Sequence, residues 1–131
     1  MKINATHIQG SIFFQSKLDI ERVGAIISQR VFAGVPIGGL EKNIYEEVPA
    51  VFTEKRFLGF FVAIQELQKI ESDIWEYCLD INNYGSAEYD ATAITTFVLD
   101  DYMLSLFHKL FEDSTEIFSI TKNGVGRNPS K

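Results

Sequence analysis

Met103, Leu106, Phe107, Leu110 and Phe111 fall at i, i+3, i+4, i+7 and i+8. Such spacing puts all five on one side of a helix. The residues just before them, ATAITTFVL from Ala91 to Leu99, are rich in β-branched and aromatic types and read as a strand. The period therefore switches near Asp100 and Asp101. Acids are favoured there, either as a cap or against the helix dipole. A chain with this switch has to lay an amphipathic helix on a sheet.

The rest of the chain repeats that theme. Residues 2 to 14 alternate loosely and predict a first strand, bent near Gly10. Ser16 and Asp19 resemble a capping box ahead of a helical stripe of Ile20, Val23, Ile27 and Val31. RFLGFFVAIQEL, 56 to 67, is apolar on both faces and predicts a central strand covered on both sides. A turn at Lys69 to Asp73 leads to the strand IWEYCLDIN. Its alternation points Trp75, Tyr77, Leu79 and Ile81 one way and Glu76, Cys78 and Asp80 the other. TEIFSI predicts a short last strand. Pro49 leads into a short edge strand within the long connection 34 to 55.

The expected class is α+β: a mainly antiparallel sheet of about five strands with two helices on one face. A ferredoxin-like βαββαβ plan with one inserted strand is one arrangement of this order. Residues 1 to 121 are expected to form a single domain, with a flexible tail from 122 to 131. A chain of 131 residues with 46% apolar residues and eleven Phe has ample material for one core.

Charge narrows the function. The net charge is −6, and residues 1 to 121 alone carry 18 acids against 9 bases. Nucleic acid and anionic membranes call for a basic footprint, so neither is an expected partner. The single cysteine, Cys78, excludes an intramolecular disulfide and favours a reducing compartment. The N-terminal MKINATHIQGSIFF has no apolar run of signal-peptide length, so the cytoplasm is the expected location.

Catalytic signals are absent from the pattern. Glu76 and Asp80 are two pleats apart on one strand, roughly 13 Å, too far for a retaining carboxylate pair. Carboxylates on both sides of Cys78 would raise its thiol pKa, which disfavours a nucleophile. His108 with Glu112 reads as a surface pair on the second helix, and no HxxxH, CxxC or HExxH marks a metal site. No cofactor, metal or catalytic residue is expected. The glycines of GVPIGG match neither a phosphate loop nor a dinucleotide fingerprint.

What remains is an acidic stretch. From Ile70 to His108 there is no Lys or Arg, and there are eight acids. A contiguous negative surface steers basic partners, and exposed tyrosines within it serve as anchors. The candidate binding residues are Glu76, Asp80, Tyr84, Glu88, Tyr89 and Asp90. The competing reading is a solvated face on an acidic protein.

In length, in charge and in this acid-rich 70–108 region, the chain resembles the immunity proteins of bacterial toxin systems, including those of contact-dependent inhibition. That resemblance implies a cytoplasmic inhibitor bound to a basic cognate toxin, often a nuclease, with its acids standing in for nucleic-acid phosphate. The rival reading is a small-ligand or enzymatic domain with its site at the 34–55 loop, near Gly38, Gly39 and Tyr45. A third is a homo-oligomer with the strand Phe57–Ile64 near its interface.

Overall fold

A computed structural model of the chain describes residues 4–39, 49–84 and 93–124. Eight elements follow in order: β1 (Asn4–Ser16), α1 (Ile20–Val31), β2 (Ala50–Phe52), β3 (Phe61–Glu71), β4 (Ile74–Asn82), β5 (Ala93–Val98), α2 (Asp100–Leu110) and β6 (Phe118–Thr121). The strands form one sheet in the order β2-β3-β4-β1-β5, with β6 also paired to β1. All pairings are antiparallel except β1 with β5. The class is α+β, with six strands where about five were expected. No helix among the described residues is long and apolar enough to cross a membrane.

Alternation decides which face the helices cover. Ile12 and Phe14 of β1, Val62 and Ile64 of β3, and Tyr77 and Leu79 of β4 all lie on one side and are buried. Ile20, Val23 and Ile27 of α1 and Met103 and Phe107 of α2 close over them in one cluster. Both helices therefore sit on the same face. Arg30 of α1 ties them together: it donates to the Leu110 carbonyl at 2.8 Å and lies 4.8 Å from the Phe111 ring centroid.

Neither helix joins parallel neighbours. By the chain of pairings, β2 runs opposite to β1, and β6 runs opposite to β5. A ferredoxin-like plan is built from split βαβ units, which need parallel strands flanking each helix. Here β2, β3 and β4 run as a meander instead, so the strand order departs from that plan. After α1, Gly38 bridges Phe52 of β2 through backbone bonds of 3.0 and 2.7 Å.

Three local expectations are corrected. The N-cap of α1 is Asp19, whose carboxylate accepts from the Arg22 amide at 2.9 Å; Ser16 is buried and accepts from the Leu18 amide. The N-cap of α2 is Leu99, without a side-chain cap. β3 is covered on one face only, because Phe61 remains 37% exposed and Ala63 and Gln65 are half-buried. β3 is an interior strand, as expected, paired with β4 on one side and with the three-residue edge strand β2 on the other.

β1 shares one edge between two partners. Asn4 to Gln9 pair with β5, while Phe13 and Gln15 pair with β6 across a register shift. In the gap the Ser11 amide finds no strand, and Asp100 Oδ1 accepts it at 2.9 Å. The Leu99 amide donates to Gln9 at 2.7 Å, so α2 starts against β1. That contact explains Gly10: a Cβ there would fall 2.3 Å from Met103 Sδ. Asp100→Ala should orphan the Ser11 N–H and destabilise by about 1–3 kcal/mol. Asp100→Asn, which keeps the acceptor oxygen, should recover most of it in urea unfolding.

Glu66 faces Tyr77 across the β3–β4 ladder, and the Tyr77 hydroxyl donates to the Leu18 carbonyl at 2.6 Å. Burial raises the Glu66 carboxyl above its ordinary 4.5, with the Asp19 charge adding to this and a bond from Tyr77 opposing it. Burial, and then the nearby Glu66 and Asp19 charges, push the Tyr77 hydroxyl up as well. The folded state thus holds the Glu66 proton more tightly than the unfolded chain does. Stability from that proton is present below pH 4.5 and is lost as pH rises through the raised value. Glu66→Gln should therefore gain Tm relative to the unsubstituted protein between about pH 4 and pH 7. A difference that stays flat across that range would refute the account.

Candidate functional site

The sheet face away from the helices is divided in two. Toward the Ser16 end of β1 it is closed: Phe13, Glu76 and Cys78 are buried there. Toward the Gln9 end it opens. The register lines up Ser11, Asp80 and Ala63 in one row, and Gln9, Asn82 and Phe61 in the next. Ser11, Asp80, Gln9 and Asn82 of these rows, with Gln65, Tyr84, Val98 and Asp100, bound a groove of about 370 Å³, while Ala63 and Phe61 line the hollow beside it. A second hollow of about 390 Å³ adjoins it, sharing Asp80 and Asn82 and reaching Phe52, Thr53 and Glu54.

Ser11 is the centre of the groove. Its hydroxyl donates to Asp80 Oδ1 in a short bond, and its amide donates to Asp100 Oδ1. One serine on an interior strand thus gathers two carboxylates from different elements. The ion pairs among the described residues are Lys17–Asp73 and Lys122–Asp101. Neither Asp80 nor Asp100 forms an ion pair among the described residues, although Lys122, paired with Asp101, also feels the Asp100 charge. Cys78 Sγ approaches Asp80 Oδ1 at 3.8 Å, a thiol contact from the closed half of the face.

Arg56 stands near the groove and forms no ion pair with Asp80 or Asp100. Its guanidinium lies 4.6 Å from the Phe61 ring centroid and donates to the carbonyls of Gly59, Asn83 and Tyr84. Tyr84 is 37% exposed at the rim. Its hydroxyl donates to Gln9 Oε1 in a short bond, and its ring centroid lies 4.5 Å from that of His7. A tyrosine fixed this way is a rigid, half-apolar contact surface.

The expected binding residues separate accordingly. Asp80 and Tyr84 meet at the groove. Glu76 is 2% exposed and accepts from Gln68 Nε2 at 2.9 Å, so it forms no surface row with Asp80. The reason is its position: β4 is interior, and the half of the face bearing Glu76 is covered. Glu88, Tyr89 and Asp90 lie outside the described residues. Asp100 and Ser11 belong to the groove although neither stands out as a binding residue in the sequence. No local signal marks them, since Ser11 and the two acids are 69 and 89 residues apart.

At the rival site, Val35, Pro36, Gly38, Phe52 and Lys55 border a hollow of about 360 Å³. Gly39 has φ +82°, and a Cβ there would meet the Phe52 ring at 2.8 Å, so its glycine has a packing reason. Tyr45 lies outside the described residues, as do 125–131 of the expected tail; Lys122 pairs with Asp101 at 2.6 Å, and Gly124 is buried. His108 Nε2 bonds the Ile120 carbonyl at 2.9 Å and so links α2 to β6. Comparison with protein-family models, with curated proteins and with solved structures finds no match to this chain.

Proposed function

We propose that this chain is a non-catalytic protein-binding module that receives a basic side chain of its partner in the Ser11 groove. The observation that carries this is the pair Asp80 and Asp100, held by one serine at an open groove, with neither in an ion pair among the described residues. A lysine or arginine entering there gains two charge-assisted acceptors. Tyr84 at the rim adds an aromatic contact of the kind that anchors interfaces. Ser11 gives its hydroxyl proton to a carboxylate, an ordinarily weak base, which supports binding over nucleophilic chemistry.

With the net charge of −6, this reading agrees with an immunity or inhibitor protein that masks a basic toxin in the cytoplasm of a bacterium. The test is a tagged pull-down from the source cells at low and high salt, with Asp80→Lys as a parallel bait. A basic protein captured near one-to-one by the unsubstituted chain and lost by Asp80→Lys supports it. Equal capture by both baits overturns it. So does no capture together with a small molecule that raises Tm, which points to the loop hollow instead.

A further inference from the structure

β5 is exposed at all six of its positions, unlike every other strand among the described residues. It lies at the end of the sheet opposite β2, and among the described residues its only strand partner is β1. Its sequence, AITTFV, carries no charge, glycine or proline. Ile94 is 50% exposed, Phe97 54%, Val98 60%, and Tyr102 in the first turn of α2 63%. Edge strands are ordinarily blunted by lysine, proline or a bulge, because an open edge templates further pairing. An uncharged β-branched segment left open is an aggregation hazard.

We propose that two copies of this chain pair through β5, antiparallel, about a two-fold axis at Thr96. The backbone sets that register. The Leu99 amide donates inward to Gln9, so by the ladder's alternation Phe97 and Thr95 also turn inward. Ile94, Thr96 and Val98 then present their N–H and C=O groups outward. In an antiparallel pair, opposed residues are both hydrogen-bonding or both not. A centre at Thr96 satisfies this and sets Ile94 against Val98 of the second copy, an apolar pair on one face. Phe97 faces Thr95 on the other.

The strand thus complements its own reverse, as an isologous contact requires. It is also a place where two acidic copies can meet without opposing charges. The contact is small. An aromatic side chain carries about 150–250 Å², so Phe97 and Tyr102 together leave on the order of 200 Å² to cover. A standard interface buries roughly 800 Å² a side, so this dimer is weak and reversible, with dissociation in the micromolar range or above. The proposal does not rest on the Ser11 groove.

The test is sedimentation velocity over a concentration series. The mass should rise from 14.9 kDa toward twice that value at high concentration. Thr96→Lys, which opposes two ammonium groups across the axis, should hold the chain monomeric with an unchanged circular dichroism spectrum. In a Cys78→Ala background, Thr96→Cys should cross-link on mild oxidation, since hydrogen-bonded partners sit about 5.5 Å apart, within disulfide reach. Thr95→Cys should cross-link far less. A monomer at every concentration overturns the proposal. So does a dimer that Thr96→Lys leaves intact, which would place the contact elsewhere, for instance at Leu58 and Phe61. Asp80→Lys should leave the dimer unchanged.

Discussion

Phe14→Ala is expected to lower the unfolding free energy by about 3–5 kcal/mol. Phe14 is wholly buried at the middle of the sheet, stacked on Tyr77 with ring centroids 5.7 Å apart. Removing the ring loses its transfer free energy and leaves a cavity lined by strands, which relax poorly. A domain of this kind is stable by about 5–15 kcal/mol, so one substitution removes a large share. Urea unfolding followed through the single tryptophan, Trp75, would show a much lower midpoint at an unchanged slope. Phe61→Ala is the contrast: Phe61 is 37% exposed and borders the hollow beside the groove, so about 1 kcal/mol or less is expected. Equal losses at the two positions would mean that the helices cover the other face.

Asp80→Lys is expected to weaken partner binding by roughly 30- to 4,000-fold, the equivalent of about 2–5 kcal/mol for disrupting a desolvated charge pair. Asp80→Asn should fall between the two, because it keeps an acceptor for Ser11 but loses the charge. Asp80 is half-buried at the groove, so a lysine there can reach water and the fold should persist. Titration calorimetry with the captured partner reads the affinity, and thermal unfolding checks the fold. An affinity within about threefold of the unsubstituted protein would remove Asp80 from the interface. The same reversal at Glu76 tests something else, because a buried lysine beside Gln68 attacks folding first.

Local period made much of this fold legible. IWEYCLDIN reads directly as β4, Ile74–Asn82, and the stripe from Met103 to Phe107 marks α2 and the residues it buries. Those signals come from neighbours within a turn or a pleat. The faces of β3 were not legible, because Phe61 and Val62 are equally apolar and only the partner strands determine which is covered. Sequence alone does not separate Ser16 from Asp19 as the cap of α1, since both are capping residues and the burial of Ser16 is a tertiary fact. The groove was hidden for the strongest reason of all. Asp80 looks like one acid of a surface row with Glu76, yet Glu76 is buried in the closed half of the face and Asp80 lies beside Ser11 at the open half.

The position of β1 also bears on how the molecule comes into being. It precedes the other described strands in the chain, yet it pairs with Trp75 to Asn82, with Ala93 to Val98, and with Phe118 and Thr121. No ladder can close on it until those later segments exist. Loop-closure entropy must be met before such distant pairings give anything back, so folding is expected to be slow for the chain's size. During synthesis the emerging strand, with Ile12, Phe13 and Phe14 exposed, has to wait on the ribosome for the C-terminal half to arrive.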